Sequence, residues 1–358
     1  MSSIPSKHLA IGFTSPNSGV VSFDQPTPEP SHDEILVRVL YASVSQFELW
    51  QVDFGLIVTD YPHVLGINLL GEVVKAGEDV DVKVGEKVLS FSFAPTAGKA
   101  LQEYAVLSKW KVGRLPSNVS PQEAVSVPDN FVTAYWSLFG NIKLPVPSEL
   151  PSNLSPAEAT TPILVWGAGG STGQYALQVL RLAGYTNVIA VASSRHHEFL
   201  RSLGAAITLD YKSKDIIEQV LKAAGGPVKY VFDTIADEEH SLSHIAKFVA
   251  EGSQVAYLIP VRVGGQGAVQ RVKPQTDTSF PSGVELLPVR TAYYQSNEKF
   301  KDELQPKILP ELLASGLITP NRIREIQGAT LLDRVKEALD ILRKGEVSGE
   351  RLVVRVSA

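Results

Sequence analysis

Cysteine is absent from all 358 residues. Its absence excludes disulfides, any thiolate zinc site and a cysteine nucleophile. A basic excess is missing too: the net charge is −5, with Lys and Arg scattered along the chain. That argues against a nucleic-acid partner, whose phosphates would need a basic patch. No apolar run reaches membrane-spanning length, and the first residues, MSSIPSKHLAIGF, lack a basic-then-apolar leader pattern. The last residues, VRVSA, form no recognised targeting signal. A cytoplasmic protein without a membrane partner is therefore expected. What remains is 44% hydrophobic and 20% charged, the balance of a globular protein. Its length exceeds one ordinary core, so two domains are the default expectation.

The stretch Pro162–Ala183, PILVWGAGGSTGQYALQVLRLA, organises the rest. It reads as a buried strand over Ile163–Trp166, a glycine turn over Gly167–Gly173 and a helix starting near Ser171. Tyr175, Ala176, Val179, Leu180 and Ala183 recur at helical spacing. Such a turn lets backbone N–H groups approach a pyrophosphate at the positive end of a helix. Glycines at 167, 170 and 173 give G-x-x-G-x-x-G; Thr172 stands where G-x-G-x-x-G would need its third glycine. A strand, glycine turn and helix also occur without a ligand, so the surroundings must decide.

Residues 1–130 carry closely spaced β patterns at Glu34–Leu40, Gly71–Ala76, Lys87–Phe93 and Leu101–Leu107, which suggest a rolled or barrel-like sheet. Helical character returns at Ser120–Val125 and Phe131–Phe139. Residues 143–162 are rich in Pro and Ser and read as a loop. Strand patterns then fall at Ile163–Trp166, Val188–Ala192, Ile207–Asp210, Tyr230–Asp233 and Gln254–Leu258. Helices fit between them at Thr172–Ala183, His196–Leu203, Ile216–Ala224 and Ser241–Phe248. Alternation at this spacing predicts a doubly wound parallel sheet, an α/β fold. Residues 261–285 read as a mobile loop before a last strand at Val284–Val289. Two amphipathic helices, Phe300–Ser315 and Leu331–Lys344, precede a strand at Arg351–Val356. That strand can pair with the first half's sheet, making the 131–289 domain an insertion between 1–130 and 290–358.

The end of the second strand of such a sheet reads the adenosine ribose: a carboxylate there takes the 2′-OH of NAD, whereas Ser and Arg accommodate the 2′-phosphate of NADP. Here Ser193, Ser194, Arg195, His196 and His197 follow the strand, with no carboxylate before Glu198. Hydroxyls plus a guanidinium suit a phosphate dianion; ordinary helix capping is the alternative role for the serines. NADPH is the expected cofactor.

Several motifs together resemble the medium-chain dehydrogenase/reductase superfamily. Tyr61-Pro-His-Val-Leu-Gly-Ile-Asn-Leu-Leu-Gly-Glu-Val-Val74 and Val84-Gly-Glu-Lys-Val88 are similar to its P-x-(V/I)-x-G-x-(D/E)-x-x-G-x-V and x-G-D-x-V signatures. The glycine spacing and the ending Gly345-Glu-Val-Ser-Gly-Glu-Arg-Leu-Val353 resemble its zinc-independent quinone- and enoyl-reductase branch, most closely fungal trans-acting enoyl reductases. The resemblance spans essentially the whole chain. It implies a Rossmann domain inserted in a β-rich GroES-like barrel domain, in a reductase of fungal secondary metabolism acting as a monomer or homodimer.

The resemblance also implies where zinc would sit in related alcohol dehydrogenases. Those positions read Ser45 or Gln46 and Ile67-Asn68, with His63 nearby, a poor zinc site. Reduction by NADPH of a C=C bond activated by a carbonyl, as in an enone, enal or enoyl thioester, is the expectation that remains. By resemblance, Gly170, Ser171, Thr172 and Gly173 form the pyrophosphate turn, and Ser193, Ser194, Arg195 and His196 read the 2′-phosphate with Tyr211. Asp233 lines the adenine side, Leu258 and Ile259 pass near the nicotinamide, and Thr133 touches its carboxamide. The N-P-x-D-W-K of fungal enoyl reductases is Ser45-Gln46-Phe47-Glu48-Leu49-Trp50 here, without the Asn, Pro and Lys. Ser45, Gln46 and Asn68 are candidate donors to a substrate carbonyl. Tyr135, Tyr257 and water all remain open as the proton donor. A quinone reductase and a non-catalytic nucleotide-binding protein are the rival readings.

Overall fold

The computed structural model describes residues 4–15, 18–93, 95–264 and 269–357. The chain folds as two compact units. One is Asn130–Tyr294; the other joins the chain up to Asp129 with the chain from Gln295 onward.

In the inserted unit, six strands form one parallel sheet in the order Ile207–Leu209, Val188–Val191, Ile163–Trp166, Tyr230–Asp233, Gln254–Leu258 and Glu285–Val289. The three central strands are buried at every residue, the signature of strands covered on both faces and the reason their sequences are continuously apolar. Ser171–Leu182, His197–Leu203 and Ile216–Ala224 are helices, as the periodicity predicts. Ile163–Trp166 pairs with the strand that follows it on one side and with Tyr230–Asp233 on the other. The chain therefore reverses its direction of winding at the glycine turn, where open α/β sheets bind ligands.

Two expectations fail in this unit. The helix expected over Ser241–Phe248 begins earlier, as a wide turn over Glu238–Leu242, and continues only through Ser243–Ile245. The Asp237 carboxylate accepts the N–H groups of Glu239 and His240 and so caps the earlier start. The N–H groups of Lys247 and Phe248 reach back only three residues, to His244 and Ile245, which closes the helix. Residues 261–285 are not all loop either: Val261–Val263 and Arg271–Lys273 form an antiparallel pair. Lys273 ties that pair down through ion pairs to Glu238 and Asp277. Residues 265–268 lie outside the described residues. Residues 143–162 contain no helix or strand, and are pinned where Glu158 meets Lys229 and Tyr230.

The other unit is β-rich. Its larger sheet runs in the order Arg322–Ile326, Glu350–Arg355, Glu34–Val44, Asn68–Ala76, Lys87–Phe91 and Gly113–Arg114, with Tyr104–Ser108 also on the central strand. That central strand shifts register after Leu36 and after Val39. Its first half can therefore take Tyr104–Ser108 while its second half takes the C-terminal strand, Tyr41 opposite Arg355. The C-terminal strand thus returns to the sheet of the first half, as expected. A smaller sheet joins Val21–Pro26, Lys7–Phe13 and His63–Val64. Leu331–Arg343 packs Val335, Ala338 and Leu342 into the core. The other C-terminal helix is interrupted: Glu298–Glu303 and Leu309–Ala314 flank a wide turn over Leu304–Ile308. Pro306 and Pro310 have no N–H to give a regular helix there.

Candidate functional site

The glycine turn is built by close approaches. Gly167 has φ +77°, and a Cβ there would lie 2.4 Å from Ile235 Cγ1. A Cβ on Gly173 would lie 2.5 Å from Ala168 Cα, so only glycine lets the helix start this close to the strand end. Gly170 differs, since its nearest neighbour would be Gly167 O at 3.3 Å and the space beyond is open. Gly170 is also the N-cap of Ser171–Leu182 and provides no side-chain cap. The N–H groups of Ser171, Thr172 and Gly173 are left at the positive end of a twelve-residue helix, the arrangement that receives a phosphate. The Thr172 hydroxyl is committed elsewhere, donating to Asn130 Oδ1 at 2.8 Å. This terminus therefore fits the diphosphate of a dinucleotide: a backbone cradle with open space where a methyl would intrude.

The residues after the second strand gather beside this turn. The His196 ring packs over Gly169, whose added Cβ would be 3.0 Å from His196 Cδ2. Arg195 is exposed, with its Nε 3.3 Å from His196 Nε2, and Ser193 is half-buried. Sequence reading missed one group here. Asp210, on the neighbouring strand end, accepts the N–H of Lys212 at 2.9 Å and of Ser194 at 3.3 Å. These backbone donors, Lys212 first, hold its carboxyl below the usual carboxylate range. Tyr211 packs half-buried on the sheet's apolar cluster, and the exposed Lys212 ammonium lies 5.8 Å from its ring. Arg195 and Lys212 thus supply positive charge at this end.

Four expected cofactor neighbours make contacts within the protein. Asp233 has no solvent exposure; its carboxylate accepts the N–H groups of Ile235 and Ala236 and the Ser241 hydroxyl. Burial raises its pKa to about 6. It shapes the turn at Ala236, which has φ +50°, rather than offering a free carboxylate to an adenine. Leu258 and Ile259 are half-buried against Ala236, Leu242 and Tyr257. The Thr133 hydroxyl meets that of Thr291 at 2.9 Å. The two tyrosines considered as proton donors are packed away. Tyr135 lies between Phe131 and Phe139, and Tyr257 is 2% exposed, with burial raising its pKa.

In the β-rich unit, two of the three candidate carbonyl donors are already occupied. Ser45 caps the unanticipated helix Gln46–Phe54: its hydroxyl donates to Glu48 Oε2 at 2.6 Å and accepts the Phe47 N–H. Asn68 is fully buried and donates to Ser43 Oγ and to Asp129 Oδ1, while its carbonyl accepts the Asp129 N–H. Arg351 closes that network at 2.7 Å from Asp129 Oδ2. In both residues the hydrogens expected to meet a substrate carbonyl are engaged within the protein, by capping in Ser45 and by Ser43 and the buried Asp129 in Asn68. Gln46 alone keeps a half-buried side chain with no hydrogen bond among the described residues. At the zinc positions, His63 bonds Gln51 Nε2 at 3.0 Å. Glu48, 1% exposed, is raised in pKa by burial, and Lys99, 5% exposed, is lowered by burial. Neither Glu48 nor Lys99 carried a local signal in the sequence.

Comparison with known proteins agrees with this architecture. Residues 31–133 match the alcohol dehydrogenase GroES-like domain, and residues 171–258 match the zinc-binding dehydrogenase domain. The chain is 30% identical to trans-enoyl reductase tndF of Aspergillus flavipes over 364 residues, covering 97% of this chain and 99% of that one. It is 28% identical to trans-enoyl reductase himH of Aspergillus japonicus, covering 90% of each. The fold is also that of the quinone oxidoreductase from Coxiella burnetii: TM-score 0.70 at 24% identity, covering 98% of this chain and 100% of that one.

Proposed function

Since the chain belongs to the medium-chain dehydrogenase/reductase superfamily, being similar over its length to trans-enoyl reductases, we propose that it is an NADPH-dependent, metal-independent reductase. Its substrate is a small molecule with a C=C bond activated by a carbonyl. The observation that carries this reading is the open space above Gly170 at an uncapped helix terminus, with Arg195, His196 and Lys212 at the adjoining strand ends. Bound there, NADPH would supply a hydride.

This chain's residues do the remaining work. The N–H groups of Ser171, Thr172 and Gly173 neutralise the diphosphate, and the exposed Arg195 guanidinium takes the 2′-phosphate with His196 and the Ser193 and Ser194 hydroxyls. Tyr211 and Lys212 flank the same phosphate. Thr133, Leu258 and Ile259 are proposed to orient the nicotinamide, and Gln46 is the remaining candidate donor to a substrate carbonyl. Metal independence is supported by the donor set: the positions that hold zinc in related enzymes carry a capping Ser45, an isoleucine and an amide already bonded on both sides.

A second reading, a quinone reductase with the same cofactor residues, gains from the commitment of Ser45 and Asn68, because it asks for fewer substrate donors. NADPH oxidation against a panel of enals, enones, enoyl thioesters and quinones separates the two. Turnover of enones or enoyl thioesters supports the first, and turnover of quinones alone supports the second. NADPH binding without any turnover would leave a nucleotide-binding protein. A cytoplasmic location and a monomer or homodimer complete the proposal. Pro288 in the edge strand Glu285–Val289 lacks an N–H for pairing with another chain.

A further inference from the structure

We propose that Lys99 is the centre of an oxyanion-binding subsite in the β-rich unit, where its ammonium donates to a charged or strongly polarised oxygen of a conjugated organic molecule. Only the identity of that molecule in the cell rests on the reductase reading. Lys99 follows the tight turn Thr96–Gly98. Its N–H donates to Thr96 O, and its carbonyl accepts from Gln102 Nε2, so its backbone is fixed. The residue is 5% exposed, a degree of burial that lysines rarely reach unless paired. Yet Nζ makes no hydrogen bond or ion pair among the described residues. Its recorded neighbour is the Phe93 ring, with Nζ 5.2 Å from the centroid, and Phe93 lies 5.3 Å from the Phe47 ring. Aromatic faces replace little of the water that an ammonium loses on burial.

Unmet acceptors lie in the same neighbourhood. Glu48 Oε2 takes both donors of Ser45, but Oε1 has no partner. One helical turn on, Gln51 gives its Nε2 to His63 and leaves Oε1 without a partner. The charge of Lys99 acts on both Glu48 and His63. An ammonium without a protein acceptor, on a side chain that is largely buried, thus sits in the neighbourhood of two buried acceptors without donors, and Lys99 and Glu48 form no ion pair that would satisfy both. Such an arrangement calls for a third polar group. An oxyanion or polarised carbonyl fits the ammonium, and a hydroxyl or water fits Glu48 Oε1. The Phe47 and Phe93 rings favour a conjugated carrier, while the positive charge of Lys99 disfavours a metal ion.

The probe is 4-nitrophenolate, titrated into the cofactor-free full-length protein at a pH where the probe is ionised and followed by its absorbance. Wild type is expected to bind it. Lys99→Met should weaken binding by about 10- to 100-fold, the loss of one hydrogen bond between charged groups, and Lys99→Arg should retain most of it. Far-UV circular dichroism and unchanged NADPH affinity check that the variants are folded. Should Lys99→Met not fold, isotopic dimethylation of lysines in the wild type replaces it: the Lys99 methyl resonance is expected to shift on adding the probe, and no shift overturns the inference. No binding by wild type, or equal binding by wild type and folded Lys99→Met, also overturns it. Wild type that binds the probe through Lys99 but reduces no activated alkene would sink the reductase reading and leave the subsite standing. Alkene reduction with probe binding indifferent to Lys99 would do the reverse.

Discussion

Adding one methyl group at Gly170 tests the dinucleotide cradle without testing the fold. Gly170 has φ −76° and ψ 166°, a conformation alanine adopts freely, and its Cβ would meet only Gly167 O, at 3.3 Å. Gly167 O must give by a few tenths of an ångström, which offsets the about 0.4–1 kcal/mol gained from the stiffer unfolded chain, so Gly170→Ala should change the stability of the unliganded protein little. The same methyl would project into the space assigned to the diphosphate. Displacing that group by the width of a methyl loses at least one charge-assisted bond from the helix terminus, about 1.5–3 kcal/mol. The dissociation constant for NADPH should rise by about 10- to 150-fold. Gly173→Ala is the contrasting control: its Cβ would lie 2.5 Å from Ala168 Cα and 2.6 Å from Gly167 O, both backbone atoms. Overpacking of that kind should cost about 1–3 kcal/mol in the unliganded protein itself. Thermal melting without cofactor and calorimetric titration with NADPH separate the two effects. A Gly170→Ala protein that binds NADPH as well as wild type would refute the placement of the diphosphate.

Further outcomes follow from other parts of the molecule. Arg195→Ala should raise the Michaelis constant for NADPH far more than that for NADH; equal increases would remove Arg195 from the 2′-phosphate. Burial raises the Asp233 carboxyl from 3.8 to about 6, so the folded state holds this proton more tightly than the unfolded chain does. That contribution is complete below about pH 4 and is lost as the pH rises through about 6. Chemical denaturation across this window should show a fall of order 1–3 kcal/mol that Asp233→Asn removes; an unchanged slope in the variant would contradict the assignment. Asp129→Ala leaves Arg351, whose side chain is 9% exposed, buried without its partner, and should cost about 3–5 kcal/mol of stability by denaturant titration. Activity should survive prolonged chelation, and stoichiometric zinc in the purified protein would overturn the metal-free reading.

The inserted unit was legible in the sequence because its elements carry their own signals. Ile163–Trp166 and Tyr230–Asp233 are continuously apolar since both faces of each strand are covered, and Ile216–Ala224 presents one apolar stripe. The glycine spacing was equally visible, since each close approach in the turn demands a particular residue. The β-rich unit hid more. Gln46–Phe54 buries Glu48 and Gln51 along with Leu49, so its buried face does not read as apolar. Arg322–Ile326 reads Arg-Ile-Arg-Glu-Ile at a sheet edge, three charges in five residues with the alternation broken at Arg324-Glu325, and so carries no strand signal of its own. Asn68 looked available because nothing local announces Asp129, 61 residues away, or Arg351 of the C-terminal strand, which holds Asp129 in place. Asp210 and Lys99 were missed for the same reason: their roles arise from neighbours that only the fold supplies.

The central claim is that this chain uses NADPH to reduce a carbonyl-activated double bond without a metal. The most direct measurement is a single turnover with NADPH deuterated at C4 of the nicotinamide, in the presence of a chelator, on an enone or enoyl thioester from the panel. The account predicts saturated product carrying one deuterium at the β-carbon, delivered from one face of the nicotinamide only. Tight NADPH binding with no deuterium in any product, or transfer that appears only on adding zinc, would contradict it.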